Sequence, residues 1–365
     1  MNQDLNILHI SAHHVWRGGE QQLAYLYEEL LNYPSQQWLF CAENKGMHKY
    51  CQEKNIPVLQ FKASRIWLFP NALKLKKICT DNKIDLIHVH DSHAHTLAFI
   101  SYLFGNKSKI IVSRRVDFPV KNSFLSKWKY NNQGVKKYIC VSEKVKEILA
   151  KNIYDKSKLS CVHSGIDLTR FKAGNNTAKI RLTYDIDPSL LLIGNVASIA
   201  PHKDYFTFVD TAEIILKNGL KAFFLIIGDG PEAARIKDYI RKKRLEQYFI
   251  ITGFRNDIPE LLPELDIFLF TSKTEGLGTS LLDALASGTP IVSTTAGGIT
   301  EMLSHNENAL LADVGDAKTL ATHVMKLIKD EELQEKLIRN GAEQLKQFTK
   351  EEMARKTFLI YKEVT

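Results

Sequence analysis

The sequence predicts an α/β protein built from two successive parallel-sheet domains, and three observations carry that expectation. Short β-rich apolar runs alternate with amphipathic helical stretches from one end of the chain to the other. At 365 residues, with 44% hydrophobic and 25% charged residues, the chain is long enough for two cores. Near the middle, Phe171-Lys172-Ala173-Gly174-Asn175-Asn176-Thr177 is polar, holds a glycine and has no hydrophobic period, so it reads as a linker.

In the first half, strands are expected at Asn6–Ser11, Trp38–Ala42, Pro57–Phe61, Leu86–His90, Lys109–Ser113 and Lys137–Val141. In the second half they are expected at Leu190–Ala197, Ala222–Ile227, Phe249–Thr252, Ile267–Thr271 and Pro290–Ser293. Asp316–Lys329, Glu331–Gln347 and Lys350–Tyr361 carry apolar residues at helical spacing. The expected domains are 1–172 and 173–348, with 349–365 a helix able to cross back to the first. Ligands of open parallel sheets bind beyond the carboxyl ends of the strands, so two such sheets facing each other leave a cleft whose chemistry lies on the loops after strands.

Composition narrows the function. The N-terminus lacks a basic segment followed by an apolar one, and no stretch approaches the eighteen or so apolar residues that span a bilayer. Five cysteines, odd in number and without a C-x-x-C pair, argue against a disulfide framework or a zinc site and fit a reducing cytoplasm. The net charge of +8 is unevenly spread: residues 1–179 hold 27 basic and 14 acidic residues, residues 180–365 hold 22 and 27. Lys107 to Lys137 contains nine basic residues, Asp117 as its only acid, and interleaved Phe118, Phe124, Leu125, Trp128 and Tyr130. That mixture suits an anionic lipid surface or a solvated basic face. No helix-turn-helix, finger or single-strand-binding motif accompanies it, so nucleic acid is not an expected partner.

The loop after Ile267–Thr271 is the richest in chemistry: Glu275-Gly276-Leu277-Gly278-Thr279-Ser280-Leu281-Leu282-Asp283. Gly276 and Gly278 permit a tight turn, and a helix starting near Gly278 presents its first amides to an anion such as a diphosphate. Glu275 can accept from sugar hydroxyls, and Asp283 lies about one turn inside the helix, roughly 6 Å along its axis.

This segment resembles the signature of family 4 of the retaining glycosyltransferases (glycosyl transferases group 1, GT-B fold), in which a Glu is followed eight residues later by a second Glu. Here the second acid is Asp283. Gly228-Asp229-Gly230-Pro231, Thr252-Gly253-Phe254, Ala286-Ser287-Gly288-Thr289-Pro290 and Gly297-Gly298-Ile299-Thr300-Glu301 also resemble family positions, in order. The resemblance implies two Rossmann-like domains facing across a cleft, Glu275 on the transferred sugar, and Asp283 on the nucleotide ribose with a side chain one methylene shorter than usual. It places Lys203 on the donor phosphates, but Ser198 stands where the family has an arginine. Arg255 or His202 is expected to supply the missing charge. Gly18 and Gly19, in Trp16-Arg17-Gly18-Gly19-Glu20, resemble the donor-facing glycine loop.

Within His88-Val89-His90-Asp91-Ser92-His93-Ala94-His95, His93 resembles the sugar-contacting histidine. His88 reads as a core residue, and His90 and His95 stay open. Neither metal nor cofactor is expected, since no acid or cysteine cluster completes a ligand set and the family needs none. Arg114 and Arg115 after Lys109–Ser113 suit donor phosphates, an anionic acceptor or plain surface.

The expected donor-binding set is Gly18, Gly19, Ser198, Gly228, Phe254, Arg255, Gly276, Leu277, Gly278, Thr279, Ser280 and Asp283. Glu275, Lys203 and His93 are the expected catalytic residues, and Arg114 and Arg115 the acceptor-side ones. The expected activity is retaining, metal-independent transfer from a UDP- or GDP-sugar to a sugar or lipid-linked glycan, at the inner face of the cell membrane. Three rivals are weighed. A dehydrogenase is suggested by the G-x-G-x-x-A of Gly228 to Ala233, but no acid follows at the ribose position. A nucleotide-sugar epimerase on the same scaffold and a non-catalytic sugar-nucleotide-binding protein complete the set.

Overall fold

The computed structural model describes residues 4–171 and 178–365, apart from the side chain of Arg65. The chain forms two compact units: one comprises residues up to Gly165 together with Thr349–Thr365, the other Ile166–Phe348. The linker read at Phe171–Thr177, and the boundary near residue 173, fall outside the described residues except for Phe171.

The first unit holds a seven-stranded sheet. Its strands are β1 (Leu5–Ser11), β2 (Ser35–Ala42), β3 (Leu59–Phe61), β4 (Leu86–Val89), β5 (Lys109–Arg114), β6 (Val135–Cys140) and β7 (Leu159–Cys161). The order is β3-β2-β1-β4-β5-β6-β7 and every pairing is parallel. The second unit holds β8 (Leu191–Val196), β9 (Ala222–Ile227), β10 (Phe249–Gly253), β11 (Ile267–Phe270), β12 (Ile291–Thr294) and β13 (Leu310–Ala312), ordered β10-β9-β8-β11-β12-β13, again all parallel.

Both sheets are therefore the α/β layers expected from the alternating pattern. The strands β7 and β13 were not expected. Each is three residues long at a sheet edge, too short to display a period. Central strands such as β4 and β11 are buried along their whole length, which is why they read as unbroken apolar runs.

In each sheet the strand order reverses once, between β1 and β4 and between β8 and β11. At such a reversal the connections leave toward opposite sides, and the two following loops bound a crevice at the carboxyl ends.

The last helix, Lys350–Val364, packs on the first unit. Met353, Ala354, Phe358, Ile360 and Tyr361 join a core with Ile7, Leu26, Leu30, Leu86, Ile111 and Ile139. Its start is set by Thr349, whose hydroxyl accepts from Glu352 N. Lys350 pairs with Glu29 at 3.2 Å, and Lys137 pairs with Glu363 at 2.6 Å. Gly165 is where the two backbones meet: a Cβ there would lie 2.6 Å from Lys350 Cα and 2.8 Å from Thr349 O. Gln22 holds the same residue from the other side, donating to Gly165 O at 2.6 Å and accepting from Gly165 N at 2.7 Å.

Gly165→Ala is therefore expected to overpack this junction and lower unfolding stability by about 1–3 kcal/mol. Calorimetry should show the loss as a lower Tm; an unchanged Tm would mean that the helix start yields without cost.

Candidate functional site

The second unit's crevice is built by the loops after β8 and β11. After β8 the chain enters a short 3₁₀ turn, Pro201–Lys203, and then the helix Tyr205–Lys217. Between them Asp204 takes a left-handed conformation, φ 47°, which its short side chain tolerates. Its buried carboxylate accepts from Thr207 Oγ1 at 2.6 Å and faces Lys273 Nζ at 3.1 Å. Thr271 Oγ1 donates to Asp204 O at 3.1 Å, and Lys273 N donates to His202 O at 2.8 Å. These contacts stitch the 3₁₀ turn to the loop after β11.

With the loops joined, Lys203 Nζ meets Glu275 Oε1 directly, and Ser272 Oγ donates to the same oxygen at 2.8 Å. Glu275 is only 8% exposed. The Phe270 ring lies under the ammonium, 5.2 Å from its centroid, a favourable cation–π placement. The Glu275 backbone is held as well: its carbonyl accepts from Gly298 N at 3.0 Å, and a Cβ at Gly297, φ 58°, would sit 2.1 Å from that oxygen. Only glycine fits at Gly297.

Gly278, φ 88°, caps the helix Thr279–Ala286, and it makes no side-chain capping hydrogen bond among the described residues. Leu281 N donates to Gly278 O at 2.9 Å, which closes the first turn. Gly276 and Leu277 are buried, while Thr279 and Ser280 are half-buried. One turn on, burial pushes the Asp283 carboxyl up to about 6, an effect that the Arg170 guanidinium partly offsets. Arg170 was not singled out from the sequence, because nothing local links it to a residue more than a hundred positions away.

The remaining donor-side residues divide. Gly228 and Gly230 lie against the protein's own backbone: Cβ atoms there would be 2.0 Å from Ala197 O and 2.3 Å from Ile199 O. Ile199 N donates to Asp229 O at 3.0 Å, and Glu232 N donates to Ile199 O at 3.1 Å. The space that a dinucleotide motif leaves for a pyrophosphate is filled by the loop carrying half-buried Ser198. Arg255, which with His202 is one of two residues expected to supply the charge absent at Ser198, places its fork on Asp257, through Nε at 2.8 Å and an NH2 contact at 2.5 Å. Asp257, which also takes Lys179 Nζ at 2.5 Å, is held far below the usual carboxylate range by the Arg255 hydrogen bonds first. Phe254 beside it is 67% exposed.

In the first unit the loops after β1 and β4 are tied by Asp91. Its Oδ2 accepts from Ala12 N at 2.6 Å, and its Oδ1 caps the helix Ser92–Leu103 by accepting from His93 N and Ala94 N, both at 2.9 Å. His93 is thereby exposed on the first turn of that helix. Gly18 and Gly19 open the helix Gly18–Leu30, whose buried Glu20 accepts from Arg17 N at 3.2 Å; burial raises the Glu20 carboxyl. Arg115 runs past Gly19, its Cδ 3.7 Å from where a Cβ would stand, and burial lowers its guanidinium to about 10. Arg114 is turned back on its own loop, donating to Phe118 O.

His9, His88, His90 and His95 are core residues. His88 bridges Tyr361 Oη at 2.5 Å and Ser113 Oγ at 2.8 Å, and His9 Nδ1 lies 3.0 Å from His90 Nε2. Burial depresses His88 and His90 well below the usual imidazole range and His9 to about 4, so all three are neutral. Candidate ligand atoms of His9, His88 and His90 lie within 4.8 Å of one another. His9 was missed in the sequence because it reaches the other two only through the pairing of β1 with β4. His95 packs edge-on against Tyr130 at 4.9 Å.

Residues 16–170 match Glycosyltransferase Family 4, and residues 177–344 match Glycosyl transferases group 1. The chain is 26% identical over 302 residues to N-acetyl-alpha-D-glucosaminyl L-malate synthase of Bacillus anthracis, covering 80% of this chain and 78% of that one. It is 24% identical over 335 residues to UDP-Gal:alpha-D-GlcNAc-diphosphoundecaprenol alpha-1,3-galactosyltransferase of Escherichia coli, covering 86% of each. Among solved structures, the Anabaena protein HepE in complex with UDP and glucose superposes with a TM-score of 0.86 at 18% identity, over 98% of this chain and all of that one. A glycosyltransferase from Rickettsia africae superposes with a TM-score of 0.85 at 20% identity, over 99% and 98%. With two Rossmann-like parallel-sheet domains, the glutamate-to-aspartate segment at the start of a helix and a lysine paired to its first acid, this chain belongs to glycosyltransferase family 4 and is a GT-B glycosyltransferase.

Proposed function

We propose that the enzyme is a retaining, metal-independent glycosyltransferase. It moves a sugar from a UDP- or GDP-sugar to a sugar or lipid-linked glycan acceptor in cell-surface polysaccharide or lipopolysaccharide synthesis. The observation that carries this reading is the Lys203–Glu275 pair beside an uncapped helix start, with Asp283 one turn further on. The diphosphate sits on the amides at Gly278, Thr279 and Ser280, at the positive end of the helix, and Lys203 adds a full charge. Ribose hydroxyls donate to Asp283, and a hydroxyl of the transferred sugar donates to Glu275.

As the bond from the anomeric carbon to the phosphate oxygen breaks, negative charge gathers on that oxygen, where the helix amides, and Lys203 turning from Glu275, meet it. The acceptor oxygen then bonds to the same face of the anomeric carbon, and its proton passes to the leaving phosphate oxygen. Configuration is retained without a protein nucleophile. On the first unit, His93 serves the transferred sugar, and Arg114 and Arg115 serve the acceptor.

The relatives support the acceptor class: the galactosyltransferase is named for a diphosphoundecaprenol-linked sugar, and Escherichia coli and Staphylococcus aureus relatives for colanic acid and capsule biosynthesis. Among the described residues no helix is long and apolar enough to cross a membrane. The working place proposed is the inner membrane face, met from the cytoplasm by the basic, aromatic stretch Lys107–Lys137.

A thermal-shift panel of nucleotide sugars identifies the donor, since a ligand bound only by the folded state raises Tm. Glu275→Ala is expected to lower acceptor-dependent release of nucleotide about 100-fold or more while leaving the nucleotide-induced shift in Tm. Undiminished transfer removes Glu275 from the mechanism.

Asp283 gives a pH signature. Its carboxyl, raised to about 6, is largely protonated at pH 5 and ionised at pH 7. Only the carboxylate accepts from both ribose hydroxyls, so nucleotide affinity should rise as pH increases through about 6. For the unliganded protein the sign is opposite: a carboxyl raised by folding favours the native state at low pH, a contribution lost as pH climbs through that value. Titration calorimetry of Asp283→Asn should show weaker binding and no step near pH 6; a retained step assigns the titration elsewhere.

A further inference from the structure

Large apolar side chains stand exposed in two places on the first unit, fifty residues apart in sequence. One cluster is Ile66, Trp67, Phe69 and Leu73, at the start of the helix Leu68–Asp81 and just before it, with Ile66 85% exposed. The other is Val116, Phe118, Phe124, Leu125 and Trp128, with Phe124 80% exposed. The second contains the helix Phe124–Asn131, which buries Tyr130 and turns Phe124, Leu125 and Trp128 outward.

Both clusters are seated on one element, the helix Ser92–Leu103. Trp128 packs edge-on against Phe99 at 5.1 Å, and Lys129 Nζ donates to Thr96 Oγ1 at 3.2 Å. Phe69 packs against Phe104, one residue past the helix end, at 6.1 Å, and Lys76 Nζ donates to Phe104 O at 2.8 Å. Leu103, exposed, lies one turn beyond Phe99. The two clusters thus flank the same helix, with exposed Leu103 between their contact points.

The charges around it are almost all of one sign. Residues 62–80 and 92–142 together hold fourteen Lys and Arg and a single acid, Asp117. Lys62 Nζ stands 4.8 Å over the Trp67 ring.

We propose that both clusters, Ile66–Leu73 as well as 116–128, form the surface on which the protein lies against an anionic bilayer. The proposal rests on the lipid-linked acceptor reading and extends it to a segment outside the basic stretch. Apolar side chains ringed by lysines match the acyl boundary beneath anionic headgroups. A second copy of this chain fits worse: lysine is depleted at protein interfaces, and two such faces would bring like charges together. Aliphatic Ile66, Leu73 and Leu125 offer nucleic-acid bases no stacking platform.

The test is flotation of the full chain with vesicles of phosphatidylcholine containing 30% phosphatidylglycerol, alongside pure phosphatidylcholine, at about 0.05 M and 0.5 M salt. Wild-type protein is expected to float with the anionic vesicles, more strongly at low salt. Two neutral double variants, Ile66→Ser with Phe69→Ser and Phe124→Ser with Leu125→Ser, are each expected to lose at least about tenfold in vesicle affinity with Tm and the nucleotide-induced shift intact. Absence of flotation, or wild-type flotation by the first double variant, overturns the proposal. So does a concentration-dependent dimer that the same variants dissolve. Loss of every nucleotide-induced shift with flotation preserved would instead sink the donor reading and leave the surface standing.

Discussion

The pair formed by Lys203 and Glu275 depends on a topological fact, and the site of the second unit depends on the pair. Two charges withdrawn from water cost more than their attraction returns unless their remaining hydrogen-bonding capacity is met. Here Ser272 supplies a hydroxyl, the Phe270 ring face lies under the ammonium, and Gly298 holds the glutamate backbone. The residues are 72 positions apart and meet because strand order reverses between β8 and β11. Without Thr271 and Lys273 binding the 3₁₀ turn to the following loop, neither side chain would be held for the other.

The first unit obeys the same constraint with different chemistry. Asp91 ties the loops after β1 and β4, spending its oxygens on three backbone amides. Beneath it lie His9, His88 and His90, neutral because burial and the nearby Arg115 both oppose protonation of His88 and His90. Tyr361, from the far end of the chain, completes the layer by bonding His88. The last helix is therefore tied to β4 by a hydrogen bond as well as by core packing.

Much of the fold was legible because parallel strands covered on both faces must be apolar throughout, a pattern needing no partner to be seen. β7 and β13 escaped it, being three-residue edges whose identity comes from the neighbour they pair with. The segment from Glu275 to Asp283 was legible for a related reason: a glycine turn, a helix start and two acids at fixed spacing are local. Arg255 shows the opposite case. The charge missing at Ser198 made Arg255 or His202 the expected replacement, and what no local pattern records is that Asp257, two residues on, takes both ends of the Arg255 fork. The G-x-G-x-x-A run from Gly228 to Ala233 suggested a dinucleotide site, whereas Ala197 O and Ile199 O lie against its two glycines.

What the sequence determined by itself was the alternation of strand and helix, the uneven charge, and the short-range grammar of the helix start at Gly278. These follow from propensity, period and backbone freedom, which act within a few residues. Only the tertiary structure decided that Lys203 pairs with Glu275, that the Arg170 charge acts on Asp283, that His9 joins His88 and His90, and that Ile66–Leu73 and Phe124–Trp128 flank one helix. Each is an encounter between segments far apart in the chain. Its outcome depends on strand order and on which side chain reaches a partner first, and no local pattern records either.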